Sequence, residues 1–171
     1  MNRRRMVLLS VAVLVLASVL AASGCGMLIR KGVESATGVK VDEKSGSVTI
    51  AGKNGGTATM QEGKLPDGLP TGFPVYAGTV KLGNKVATAD GTSFQMAIET
   101  PDDAKTVGDW YSEQLKGAGW TIEARNDANA NGKSIMTLSA KNGDKMQTMV
   151  IAGENSDNTA TTVNVTLTVK P

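Results

Sequence analysis

Only one stretch of this chain carries an apolar stripe at 100° per residue, and it lies between runs that alternate at period two. In residues 101–118, Ala104, Val107, Tyr111, Leu115 and Ala118 fall on one helical face. Lys105, Asp109, Glu113 and Lys116 fall opposite. Thr100 can cap this helix, Pro101 suits its first position, and Asp102 and Asp103 complement the positive end of its dipole. Gly119 suits a left-handed stop, with Trp120 folding back on Leu115. Trp110 falls at the edge of the buried face.

Everything flanking this helix reads as strand. Val39 and Val41, then Val48 and Ile50, alternate across a Lys44-Ser45-Gly46 turn, and Asn54-Gly55-Gly56 turns again before residues 57–60, so 39–62 form β hairpins. Residues 79–99 form a hairpin around Asp90-Gly91. Residues 121–124, 134–141 and 144–152 are three further strands, with Asn142-Gly143 as a two-residue turn, and residues 163–169 alternate throughout. The fold class is therefore α+β, an antiparallel β-sheet with one amphipathic α-helix packed on one face. Residues 64–78 form a connector in which Pro66, Pro70 and Pro74 hold Leu65, Leu69 and Phe73 extended, so that these plug the end of the core. After it, residues 79–171 run β-β-α-β-β-β-β.

The N-terminus has a different design. Arg3, Arg4 and Arg5 precede an uncharged, predominantly apolar run over 6–22, which ends in small residues before Cys25, the single cysteine. A lone thiol cannot form an intramolecular disulfide, and outside the cell it is an oxidation liability. Leu20-Ala21-Ala22-Ser23-Gly24-Cys25 resembles the bacterial lipobox, with Ala22 where that pattern prefers Leu. The resemblance implies cleavage between Gly24 and Cys25 and a diacylglyceryl lipid on the Cys25 thiol. It divides the chain into a signal peptide (1–24), a lipidated tether (25–38) and one α+β domain (39–171). The expected partner is a membrane, reached through the lipid anchor, with the domain held at the outer face of a bacterial membrane. A second likeness, carried by Leu65-Pro66, Phe73-Pro74-Val75-Tyr76-Ala77-Gly78, Trp110-Tyr111, Leu115 and Gly119-Trp120, is to small bacterial envelope lipoproteins of unassigned function. It implies no activity.

Charge and composition exclude several functions. Without residues 1–24 the chain holds 15 basic and 16 acidic residues, a near-neutral balance that gives nucleic acid no basic face. The absence of histidine removes His-based triads and His metal ligands. No Gly-x-Ser-x-Gly or Ser-x-x-Lys motif supplies a nucleophile, and no cofactor is expected. Asp127, Asn129 and Asn131, followed by Gly132, match the first half of a calcium loop, but Leu138 stands where the closing glutamate belongs. That segment reads better as a hairpin loop, unless Glu154 or Asp157 adds a carboxylate. Trp110, Trp120, Tyr76 and Tyr111 read as core and rim before they read as a sugar-stacking platform. The expected role is a non-catalytic binding or structural module of the cell envelope whose envelope partner and oligomeric state stay open. The alternative is a hydrolase whose carboxylates meet only in the fold.

Overall fold

The computed structural model describes residues 38–42, 46–52, 55–130, 132–155 and 159–171, which belong to one compact unit, Gly38–Pro171. The signal peptide, Gly24, Cys25, most of the tether, Asn131 and Asp157 lie outside the described residues.

Among the described residues, nine antiparallel strands and one helix follow in the order β1 (Val39–Asp42), β2 (Ser47–Ala51), β3 (Thr57–Glu62), β4 (Thr79–Thr88), β5 (Gly91–Thr100), α1 (Ala104–Gly117), β6 (Thr121–Ala130), β7 (Lys133–Asn142), β8 (Met146–Glu154) and β9 (Thr161–Val169). They make a single sheet of order β1-β2-β3-β4-β5-β9-β8-β7-β6. A meander runs from β1 to β5, and α1 then carries the chain to the far edge. A second meander returns until β9 pairs with β5, in the register Met96↔Val165 and Ile98↔Val163. This is the α+β arrangement expected, with the sheet dominant.

The core lies between α1 and one sheet face. Val107, Tyr111 and Leu115 of the helix are fully buried against it, and Phe94, Met96 and Ile98, Met136, Leu138 and Ala140, Val150 and Ala152, and Val163, Val165 and Leu167 line the sheet side. Alternation in β9 is complete, as Asn164 between the buried valines is exposed. The helix rests on β6, β7 and β8.

Several boundaries differ from expectation, each for a local reason. The helix starts at Ala104, because Thr100 is still paired with Thr161 at the end of β5. Its cap is Asp103, not Thr100: the carboxylate accepts from Thr106 N and from the Thr106 hydroxyl, both at 2.8 Å. These hydrogen bonds hold the Asp103 carboxyl below the usual carboxylate range. Ala118 is the exposed C-cap and leaves the buried stripe, while Gly108, not foreseen there, is buried against β7. The helix stop is as expected: Gly119 has φ +81°, and Trp120 N donates to Leu115 O at 2.9 Å. The β7–β8 loop takes three residues, 143–145, rather than the two of a tight Asn142-Gly143 turn, because Asn142 still pairs with Met146.

Candidate functional site

Asp127 and Asn129 of the calcium-like segment do not lie in a loop. Strand β6 runs unbroken to Ala130, so Asp127 and Asn129 are strand residues paired with Met136 and Ser134. Same-face neighbours in a strand stand about 6.7 Å apart, whereas one calcium draws its oxygens to within about 2.5 Å. Asp127 is also engaged, accepting from Arg125 Nε at 3.0 Å. Glu154 takes the backbone N–H of Ser134 at 3.0 Å. Among the described residues no three acidic, cysteine or histidine side chains gather as a metal would need.

The acids near the helix also have structural employment. Asp109 receives Arg125 at 2.8 Å and Lys105 at 2.7 Å. The Lys105 and Arg125 hydrogen bonds hold its carboxyl below the usual range. Arg125 further donates to Ser112 Oγ at 3.2 Å, so its guanidinium ties the edge strand β6 to the helix. Burial alone would lower its pKa, but Asp109 and Asp127 outweigh that and raise it.

The aromatic residues converge where the connector crosses the helix. Tyr76 meets Trp110 edge-on at 5.0 Å and stacks near Tyr111 at 6.2 Å, while Phe73 meets Trp120 edge-on at 5.6 Å. The Tyr76 hydroxyl donates to Asp102 at 2.8 Å, and the Tyr111 hydroxyl accepts the Tyr76 backbone N–H at 3.3 Å. Burial, then the bond to Asp102, pushes the Tyr76 phenol up to about 12, and burial, against the opposing hydrogen bond from the Tyr76 N–H, takes Tyr111 to about 12. Tyr76, Tyr111 and Trp120 are buried and only Trp110 is part-exposed, so these rings form core, not a stacking platform. Phe73 and Leu69 plug the core as expected, but Leu65 stays exposed.

A smaller polar group was not foreseen. The connector crosses β3 and β4 so closely that a Cβ on Gly83 would overlap Lys64 O and the Leu65-Pro66 backbone. Beneath it, Gln61, directly across from Gly83, is only 5% exposed. Its amide nitrogen donates to Asp67 at 2.6 Å, and its carbonyl oxygen is buried without a partner. A buried acceptor left unpaired costs about 1–3 kcal/mol, and a water or a ligand donor would satisfy it. Alongside, the Lys85 ammonium lies 5.6 Å from the Phe94 ring centroid, and a side chain at Gly68 would stand 3.1 Å from it. The sequence carried no signal for this pair: Gln61 and Lys85 sit at positions that read as wet in alternating strands.

The helix thus covers one half of the sheet's core face, and the connector covers part of the other. The START domain-like family matches residues 81–168, from β4 through α1 to β9, just over half of the chain. The chain belongs to the START domain-like family. Within this START domain-like chain, β1–β3 and the connector lie outside the matched span, so Gln61 and Asp67 are contributed by the additional segment and Lys85 by the family core. No curated protein and no solved structure matches the chain.

Proposed function

We propose that this START domain-like protein is a lipid-anchored, non-catalytic binding module, held through Cys25 at the outer face of a bacterial membrane. The observation that carries the proposal is the family membership of its helix-and-sheet core, joined by a short tether to a cysteine in a lipobox-like setting. The ligand would sit beside the connector, against the part of the sheet that α1 does not reach. The chemistry offered there is one acceptor, Gln61 Oε1, one cation, Lys85, and the apolar ring of Phe94. This suits a small molecule with a hydroxyl or anionic group beside an apolar body. The acids Asp102, Asp103, Asp109 and Asp127 are bound into helix caps, ion pairs and the tyrosine bond, which favours binding over hydrolysis.

The test is isolation of the lipidated protein from native membranes, with co-purifying molecules identified by mass spectrometry. A ligand carried by the natural protein and lost from Lys85→Gln and Gln61→Leu supports the proposal. A ligand retained by both variants, or none at all, overturns the assigned site. Lack of lipid on Cys25 overturns the anchoring.

A further inference from the structure

The polarity of the sheet inverts between its two halves. From β5 to β9 the buried apolar side chains lie on the face that α1 packs against, and only Ile135, Met149 and Ile151 among the large apolar ones are exposed on the other. In β1–β4 the ladder continuous with that core face is polar: Lys40, Thr49, Thr59 and Lys85 pair in turn and lead to Phe94. The next ladder on that face, Asp42, Ser47, Gln61 and Gly83, is polar as well. On the opposite face run Val41, Val48, Met60 and Asn84, and beside them Val39, Ile50, Ala58 and Val86. Val41 is 51% exposed, Ile50 47%, Met60 51% and Val86 37%. An antiparallel sheet normally turns its apolar face to a partner, and adjacent exposed apolar side chains mark an interaction surface. Neither the helix nor the connector covers this one.

We infer that this face of β1–β4 rests on the lipid surface, so that the domain lies on the membrane through its first strands. The inference rests on the anchored reading above. Thirteen residues, 26–38, separate Cys25 from the start of β1, a span of at most about 45 Å when fully extended. A tether this short holds β1 and its neighbours at high effective concentration over the bilayer. The two ladders hold no charged side chain, so laying them on lipid desolvates no ion. Glu62 lies at the end of the patch, one step beyond the Met60 ladder. Three of the four strands that form the face, β1–β3, lie outside the family match, as expected for an addition that orients the family core.

The experiment uses the full lipidated chain in vesicles of phosphatidylcholine and phosphatidylglycerol. A spin label is placed at Val41→Cys or at Lys40→Cys, adjacent positions on opposite faces of β1 whose distances from the anchor along the chain differ by a single residue. With Cys25 lipidated, the introduced thiol is the only free one. The label at 41 should be relaxed severalfold more by dissolved oxygen, relative to an aqueous nickel chelate, than the label at 40; Met60→Cys should behave like 41. Equal ratios at 40 and 41 on a lipidated chain overturn this inference and leave the anchoring intact. Strong spin–spin broadening at 41 places a second copy on the face and overturns it too. Intact mass without lipid on Cys25 overturns the anchored reading and this inference together.

Discussion

Two glycines in α1 should respond to alanine with opposite signs. At Gly117, in the last turn, a new Cβ meets nothing within 4 Å. Alanine is the better helix former by about 0.5–1 kcal/mol, so Gly117→Ala should stabilise by roughly the lower figure, given its place at a helix end. At Gly108 the same Cβ would stand 2.6 Å from Met136 Cγ and 3.2 Å from both Met136 Sδ and an Arg125 guanidinium nitrogen. Carbon atoms prefer about 3.5–4.0 Å, so the overlap is about 1 Å. Overpacking of this kind costs about 1–3 kcal/mol. Methionine is adaptable, but Met136 is buried and the guanidinium is held by Asp109 and Asp127, which limits relief. After the propensity gain is subtracted, Gly108→Ala should destabilise by about 1 kcal/mol net. For a domain of this size each kcal/mol moves the melting midpoint by about 4 °C. Calorimetry on the two variants should show shifts of opposite sign. In a Met136→Ala background the clash disappears, and Gly108→Ala should become neutral or favourable. Equal stabilisation at both glycines, or an undiminished penalty without Met136, would refute the close helix–β7 approach.

Leu115→Ala should cost about 2–5 kcal/mol in denaturant unfolding, whereas Glu113→Gln on the exposed face should change stability by less than about 0.5 kcal/mol; equal effects would mean that the wrong face is buried. The chain has two tyrosines, and both phenols stay protonated to about pH 12 in the fold. Between about pH 10 and 12 the unfolded chain loses those protons first, so stability falls as pH rises, and phenolate absorbance should appear with unfolding rather than before it. Asp103→Ala removes the helix cap and should cost about 1 kcal/mol. Because its folded carboxyl titrates below the ordinary range, its contribution is present at neutral pH and is lost as pH falls through that lowered value, a loss absent from the variant. Thermal melting with calcium and with chelator should give one midpoint, and a rise abolished by Asp127→Ala would restore the loop as a metal site.

Element type was readable where one periodicity dominated. The α1 stripe, the unbroken alternation of β9 and the Gly119 stop each depend on neighbours within a few residues, and each appears where the residues placed it. Boundaries were less readable, because tertiary pairing overrides local signals. Thr100 has a good capping side chain, yet pairing with Thr161 keeps it in the sheet and passes the cap to Asp103. Asp127, Asn129 and Gly132 have loop chemistry, yet pairing with β7 draws the first two into a strand.

Local composition and order determined that residues 38–171 make strands, one helix and strands again, and that the chain's lone cysteine follows an apolar run. Periodicity states which residues share a face, but not which neighbour that face meets. Val41, Ile50 and Met60 alternate like any half-buried strand, and only the strand order shows that their apolar side turns away from α1. Gln61 and Lys85 read as wet positions until the connector, bound closely over Gly83, buries one and brings Gly68 beside the other. Contacts between residues distant in sequence decide such matters, because a side chain's environment is set by what the rest of the chain lays across it.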